Sequence, residues 1–209
     1  MDFIQARHFI KDLDTNCQLK KLELSEVDVS DIPSMFFAGV INKIEWVVFK
    51  DMEVDSDQLE EMFLAIIRGD SAMKHLGMFG ENLNSSLSFV TEEVFAKAVN
   101  KLESVSFDEK LSQELIEEMF NVMSIETNLK ILGMPDSQVP VGSFENIGCV
   151  NPEILAKALH NLRSVRIDFE DCSDCFFTMP QLIAFFKQLD STSQLKKIVR
   201  EEWPDFKCK

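Results

Sequence analysis

The chain has 209 residues, 45% of them hydrophobic, with 18 Phe, no Tyr, and 36 acidic against 21 basic side chains for a formal net charge of −15. That acidity excludes a general nucleic-acid binder, because phosphate contacts need a basic footprint, and it leaves a protein partner, a basic one fitting the charge best. The apolar content excludes a disordered chain, and an aromatic set without Tyr serves interior packing before polar-tipped contact.

Taken in chain order, Phe3, Ala6, Phe9, Ile10 and Leu13 form a helical stripe, so residues 1–16 are expected to be an N-terminal capping helix with His8 at the surface. The start lacks a basic segment leading into an apolar core, and no apolar run reaches the length of about 20 residues that a bilayer-spanning helix needs. Cys17, Cys149, Cys172, Cys175 and Cys208 make no dense framework. A reduced, cytoplasmic chain without a membrane span is the expectation.

From Leu19 onward an apolar triplet with L-x-x-L-x-L spacing returns as Leu19/Leu22/Leu24, Ile44/Val47/Phe49, Met73/Leu76/Met78, Leu102/Val105/Phe107, Leu129/Leu132/Met134 and Leu162/Val165/Ile167, and Leu195/Ile198 opens a seventh. Its intervals of 25 to 33 residues lie in the range of stacked supersecondary units. Between the triplets the apolar spacing turns helical. Leu59, Met62, Phe63 and Ile66 share one face after a start signal at Ser56, and Asn151-Pro152 sets a cap followed by Pro in the first helical position. Further helices are expected from about Pro33 to Ile41, Glu92 to Val99, Gln113 to Met123 and Pro180 to Leu189. The units alternate in kind: Val90–Val105 aligns with Val150–Val165 at an offset of 60, and Leu59–Phe63 with Ile116–Phe120 at an offset of 57. The longest connections, Phe79–Val90 and Pro135–Val150, read as surface loops with Leu83, Val139 and Phe144 turned inward; the first carries the sequon Asn84-Ser85-Ser86. Residues 200–209 read as a C-terminal tail in which Trp203 and Phe206 fold back as a lid.

Triplet and helix together resemble the leucine-rich repeat, specifically the strand-plus-helix units of about 28 residues of the ribonuclease-inhibitor-like class. The resemblance implies an α/β leucine-rich-repeat solenoid over residues 17–199, a horseshoe of about seven strands and six helices with a parallel sheet on the concave face and helices on the convex face. It implies a non-enzymatic protein–protein interaction scaffold that binds through the concave sheet face and rim loops. Other members suggest an inhibitor or regulator of an enzyme, including GTPase regulation, or a cytoskeletal capping module. No sequence feature selects a small-molecule carrier. One departure stands out: where the family often places Asn or Cys to hold the turn, this chain has Val27, Met52, Glu81, Lys110, Ser137 and Glu170.

If Leu22 and Leu24 point into the core, the alternate positions point out of the sheet. These are Lys21 and Glu23, then Trp46 and Val48, His75 and Gly77, Ser104 and Ser106, Ile131 and Gly133, and Ser164 and Arg166. The expected partner-binding set is Trp46, Val48, His75, Ser104, Ser106, Ile131 and Arg166, with Trp46 and Ile131 flanking a shallow Gly/Ser floor. Equally, Trp46 packs under the next strand, and the small residues simply permit tight curvature. His75 is a lone histidine and the serines lack a base with an orienting group, so no catalytic residue is assigned. Cys172-Ser-Asp-Cys175 has metal-site spacing without a second pair, and a buried thiol at Cys172 fits better. No metal or cofactor is expected, since no phosphate-binding or zinc-protease motif occurs. The Glu53–Asp57 run with Glu60, Glu61, Glu117 and Glu118 reads as solvated helix surface or as steering for a basic partner.

Overall fold

Apolar alternation over short segments makes strands, and amphipathic segments between them make helices that cover one face of the sheet. The computed structural model describes residues 8–13, 18–107, 111–132, 150–167, 179–188 and 197–200. The first of these stretches is helical and buries Ile10. The elements that follow are β1 (Lys21–Ser25), α1 (Ser34–Ile41), β2 (Trp46–Lys50), α2 (Ser56–Arg68), β3 (His75–Phe79), α3 (Glu81–Leu87), α4 (Glu92–Val99), β4 (Ser104–Phe107), α5 (Gln113–Ile125), β5 (Ile131–Leu132), α6 (Pro152–His160), β6 (Ser164–Ile167), α7 (Met179–Gln188) and β7 (Lys197–Arg200). The strands pair in parallel in chain order, β1 through β7. Side chains are described in full for the five strands β1–β5.

One apolar core lies between the sheet and the helices. Leu22, Leu24, Val47, Phe49, Leu76, Met78, Val105 and Phe107 supply the strand side. Phe37, Phe63, Phe95 and Phe120 come down from α1, α2, α4 and α5. Ring centroids of Phe37 and Phe49 are 6.1 Å apart, those of Phe63 and Phe95 5.8 Å edge-on, and those of Phe95 and Phe107 5.6 Å. Burying each such ring contributes about 1.5–3 kcal/mol, and edge-to-face geometry adds to that. The helices pack in the sequence α1, α2, α4, α5, α6, α7, with α3 set against α2.

Buried amides tie the layers together. Gln58 of α2 donates from Nε2 to the carbonyls of Val29 and Ile32 at 2.7 and 2.6 Å, and its Oε1 accepts the Asp55 N–H at 2.9 Å. Gln181 of α7 makes a similar bond to the Val150 carbonyl at 2.8 Å. Asn42 and Asn100 end α1 and α4 alike. Each donates from Nδ2 to the carbonyl four residues back, Ala38 or Ala96, and to a carbonyl of the following long helix, Met62 or Met119. These donated bonds fix the amides, since an unmade bond at a buried group costs about 1–3 kcal/mol, and that cost is borne at Oδ1 of Asn42 and Asn100, which are buried without a hydrogen-bond partner among the described residues.

The strand ends use a different device. Glu26, Asp51 and Gly80, the residues immediately after β1, β2 and β3, have φ of 54°, 48° and 110°. Glu26 N–H donates to the Lys50 carbonyl at 2.9 Å and Asp51 N–H to the Phe79 carbonyl at 2.8 Å, so the sheet's ladder runs one residue past β1 and β2. The chain then turns toward the helix layer. Glycine is required at the third of these positions, because a Cβ there would lie 2.5 Å from Asp51 Oδ1 and 2.9 Å from its backbone.

Several expectations are corrected here. The chain is a single α/β domain with irregular helix packing, not the leucine-rich-repeat solenoid or horseshoe that the triplets suggested. The physical reason lies in the turns. Val27 and Met52, at the position the family often gives to asparagine, are buried apolar residues, and Glu81 at the next one starts a helix. Left-handed residues, not a side-chain ladder, hold the strand ends. Helix lengths of 8, 13, 7, 8, 13 and 9 residues for α1 to α6 make the units unlike. The loop expected from Phe79 to Val90 contains α3, in which Leu83 does turn inward and which also holds the sequon. Asp55, not Ser56, is the residue preceding α2, whereas Asn151 caps α6 as expected, accepting from the N–H groups of Glu153 and Ile154. Val139, Phe144, Cys172, Cys175, Trp203 and Phe206 lie outside the described residues.

Gly69, after α2, also has positive φ, 83°, but nothing stands within 4 Å of where its Cβ would be. Alanine at Gly69 should therefore cost about 1–2 kcal/mol, the left-handed penalty alone, and Gly80→Ala about 3 kcal/mol or more, because the crowding against Asp51 adds to it. Urea denaturation of both variants checks this. Equal losses would mean that the approach of Gly80 to Asp51 is not a structural constraint.

Candidate functional site

Helices return antiparallel to the strands, so the C-terminal ends of the strands and the N-terminal ends of the helices share one edge of the domain. The left-handed turns place Glu26 and Asp51 there on adjacent strands, whose backbones in a sheet lie about 4.8 Å apart. Asp28 and Glu53 form a parallel bridge just beyond, with Val29 N–H bonded to the Glu53 carbonyl at 2.9 Å and Glu53 N–H to the Val27 carbonyl at 3.1 Å. Asp28 is occupied locally, accepting from Ser30 N–H at 3.0 Å and Ser30 Oγ at 2.7 Å.

Acidic residues continue along this edge into the first helical turns: Asp57 in α2, Glu81 in α3, Glu92 and Glu93 in α4, Glu114 in α5 and Glu153 in α6. All six are exposed. Among the described residues, no Lys or Arg lies in the connections from β1 to α1, β2 to α2, β3 to α3, α3 to α4 or into α5 and α6. Lys50 ends β2 but pairs with Glu23 at 2.6 Å. In an open parallel sheet ligands sit at the strands' carboxyl ends, and helix N-termini there favour anions. Here carboxylates already complement those positive helix ends.

The opposite edge is balanced. Lys74 pairs with Glu45 at 2.9 Å and Lys130 with Glu103 at 3.2 Å. The shared hydrogen bond and the opposite charge hold Glu45 below its ordinary pKa and Lys74 above it. On the helix surface, Glu61 lies 3.9 Å from Arg68, and Glu117 accepts from Gln113 Nε2 at 2.7 Å. Glu60, Glu61, Glu117 and Glu118 are half-buried, so the freest negative charge sits on the strand-end edge and not on the helix faces where steering was first expected.

The sheet face away from the helices presents the row Lys21, Trp46, His75, Ser104 and Ile131 in register. Lys21 Nζ stands 4.4 Å over the Trp46 ring, Trp46 and His75 have ring centroids 4.6 Å apart, and His75 Nδ1 lies 2.8 Å from Ser104 Oγ. Burial pushes His75 below the ordinary histidine pKa, against the opposing pull of Glu103 and Glu45. The next row is closed. Val48 and Phe79 are buried with Trp46 packed against them, and the Phe79 ring lies 2.7 Å from where a Gly77 Cβ would be.

The expected binding set is thus brought together only in part. Trp46, His75 and Ile131 are half-buried, while Val48, Ser104 and Ser106 are buried. Arg166 has its backbone in β6, and its side chain lies outside the described residues. The expectation of a protein–protein interaction scaffold that binds through the concave sheet face and rim loops of a horseshoe is corrected: the sheet belongs to a single α/β domain, Phe79 fills the space above the glycine floor, and the two serines expose no surface. Nor does Ser104 beside His75 make a usable nucleophile and base, since a substrate cannot reach a fully buried hydroxyl.

The chain matches no family, no curated protein and no solved structure with which it was compared. Membership of the leucine-rich-repeat, ribonuclease-inhibitor-like class is corrected by the fold itself, a single α/β domain, and the enzyme-regulator and filament-capping alternatives that rested on that resemblance fall with it. Among the described residues no helix is long and apolar enough to cross a membrane, and no group of His, Cys, Asp and Glu is placed to hold a metal ion.

His75 gives this region a pH signature. Because its folded pKa lies below the unfolded value, the unfolded chain binds the proton more readily; the associated stability is complete above the ordinary value of 6.5 and is lost as pH falls below it. Trp46 fluorescence should change with a midpoint below 6.5, and His75→Gln should abolish that step. A step that persists in the variant would assign it to another group.

Proposed function

We propose that this chain is a non-catalytic binding module that takes a basic protein partner along the edge where the strands end and the helices begin. The observation that supports this reading is the acidity of that edge, unrelieved by any Lys or Arg in the described connections, set against the paired charges of the opposite edge. A one-sign edge raises the local concentration of an oppositely charged partner and speeds its encounter. The same field repels nucleic acid and anionic lipid, and it opposes edge-to-edge contact between two copies. What distinguishes this reading from simple solubility is localisation: solubility needs net charge anywhere, whereas recognition needs it on one surface.

The test is neutralisation without loss of shape. Glu53→Gln, Glu81→Gln, Glu92→Gln and Glu153→Gln remove four exposed charges from the edge. Binding of a fluorescent octa-lysine peptide, followed by anisotropy at low salt, should weaken roughly fourfold or more, at about 0.2–1 kcal/mol per exposed charge, and its salt dependence should flatten. Four equivalent changes on the helix surface, Glu60→Gln, Glu61→Gln, Glu117→Gln and Glu118→Gln, should weaken it less. Equal losses from the two sets would reduce the edge to a share of the overall charge and overturn the proposal.

A further inference from the structure

Phe89 stands apart from the other phenylalanines whose side chains are described. It is 77% exposed, whereas Phe37, Phe49, Phe63, Phe79, Phe95, Phe107 and Phe120 are buried and Phe9 and Phe36 are packed against the core. Its position is held by structure on both sides. Leu87 and Val90 are buried, Phe89 N–H donates to the Ser86 carbonyl at 3.3 Å, and Val90 N–H donates to the Leu87 carbonyl at 3.0 Å. Ser88 Oγ closes the turn on the Ser85 carbonyl at 2.6 Å, and Ser86 Oγ ties it to the Val54 carbonyl in the neighbouring connection at 2.5 Å. The fold therefore presents this ring outward from an anchored turn.

Phe89 lies on the acidic edge, between Glu81 at the start of α3 and Glu92 and Glu93 at the start of α4. Glu93 is engaged by Lys97, and Glu92 is exposed. An exposed aromatic face among carboxylates suits one kind of side chain above others. The planar guanidinium of arginine stacks on an aromatic ring and forks to a carboxylate, while the lysine ammonium is compact and strongly hydrated. A second copy of this chain, an anionic membrane and a nucleic acid would each bring negative charge to the same place.

We propose that Phe89 is the anchor that makes this edge select an arginine of its basic partner, the guanidinium lying on the ring with Glu92 beside it. The proposal rests on the reading of the edge as the binding surface and adds selectivity to it. The test compares octa-arginine and octa-lysine peptides, equal in charge, by fluorescence anisotropy with the whole chain. Phe89→Ala should cut the preference for the arginine peptide by about two- to fivefold, the range for an exposed cation–aromatic contact, and leave affinity for the lysine peptide unchanged. Phe89→Trp should preserve the preference. Met35, a second apolar residue on this edge at 76% exposure, supplies the control, and Met35→Ala should leave the preference intact. If Phe89→Ala does not alter the preference, the anchor is overturned while the edge reading stands. If neither peptide binds the unaltered chain at low salt, both are overturned.

Discussion

Everything at the working edge depends on how the chain leaves each strand. A residue in the left-handed region directly follows β1, β2 and β3 and sends the chain toward the helix layer, and after β1 and β2 it keeps its N–H in the sheet ladder. Non-glycine residues rarely take this conformation, and holding one there costs on the order of 1 kcal/mol. The ladder bonds to the Lys50 and Phe79 carbonyls offset that cost. Because the first two turns are made by Glu26 and Asp51, the turn that builds the fold also projects the first acidic side chains of the edge. Because the second turn places Asp51 against the third, residue 80 can carry no Cβ.

Packing then carries the pattern outward. The Phe63, Phe95 and Phe107 rings lock α2, α4 and β4 to one another. Gln58, Asn42 and Asn100 fix how each helix sits on the next connection or helix. With the helix starts held in line, the acidic residues of successive first turns become one surface instead of separate helix caps. Local capping preference and collective electrostatics are satisfied by the same carboxylates.

Much of the strand and helix pattern was legible, since period-2 and period-3.6 spacing reports burial directly. Leu22 and Leu24, Val47 and Phe49, and the stripe Leu59, Met62, Phe63 and Ile66 all face the core. The buried amides are not legible, because an Asn ending a helix and a Gln in its first turn look polar and exposed until their tertiary partners are known; the one available signal is that Asn42 and Asn100 recur at like positions. The left-handed turns at Glu26 and Asp51 are not legible, because neither residue is the glycine that such a conformation favours. The open groove between Trp46 and Ile131 failed for a plain reason. Alternation places Phe79 on the same face as Gly77, and a glycine leaves room for its neighbour's ring. The Glu53–Asp57 run was visible as charge, but its alignment with Glu81, Glu92 and Glu153 depends on the parallel arrangement of helices, which no single segment records. Phe89 is hidden because the Gly, Ser and Asn content of residues 79–90 reads as a loop and masks the helix that anchors its turn.

The most direct test of the central claim is an amide chemical-shift titration of the labelled chain with a basic peptide at low salt. The account predicts that the largest changes fall in residues 26–31, 51–57 and 81–93, with the row from Trp46 to Ile131 and the helix ends at Arg68 and Lys101 little affected. Changes centred on the Trp46–His75–Ser104 row, or spread evenly over the surface, would contradict it.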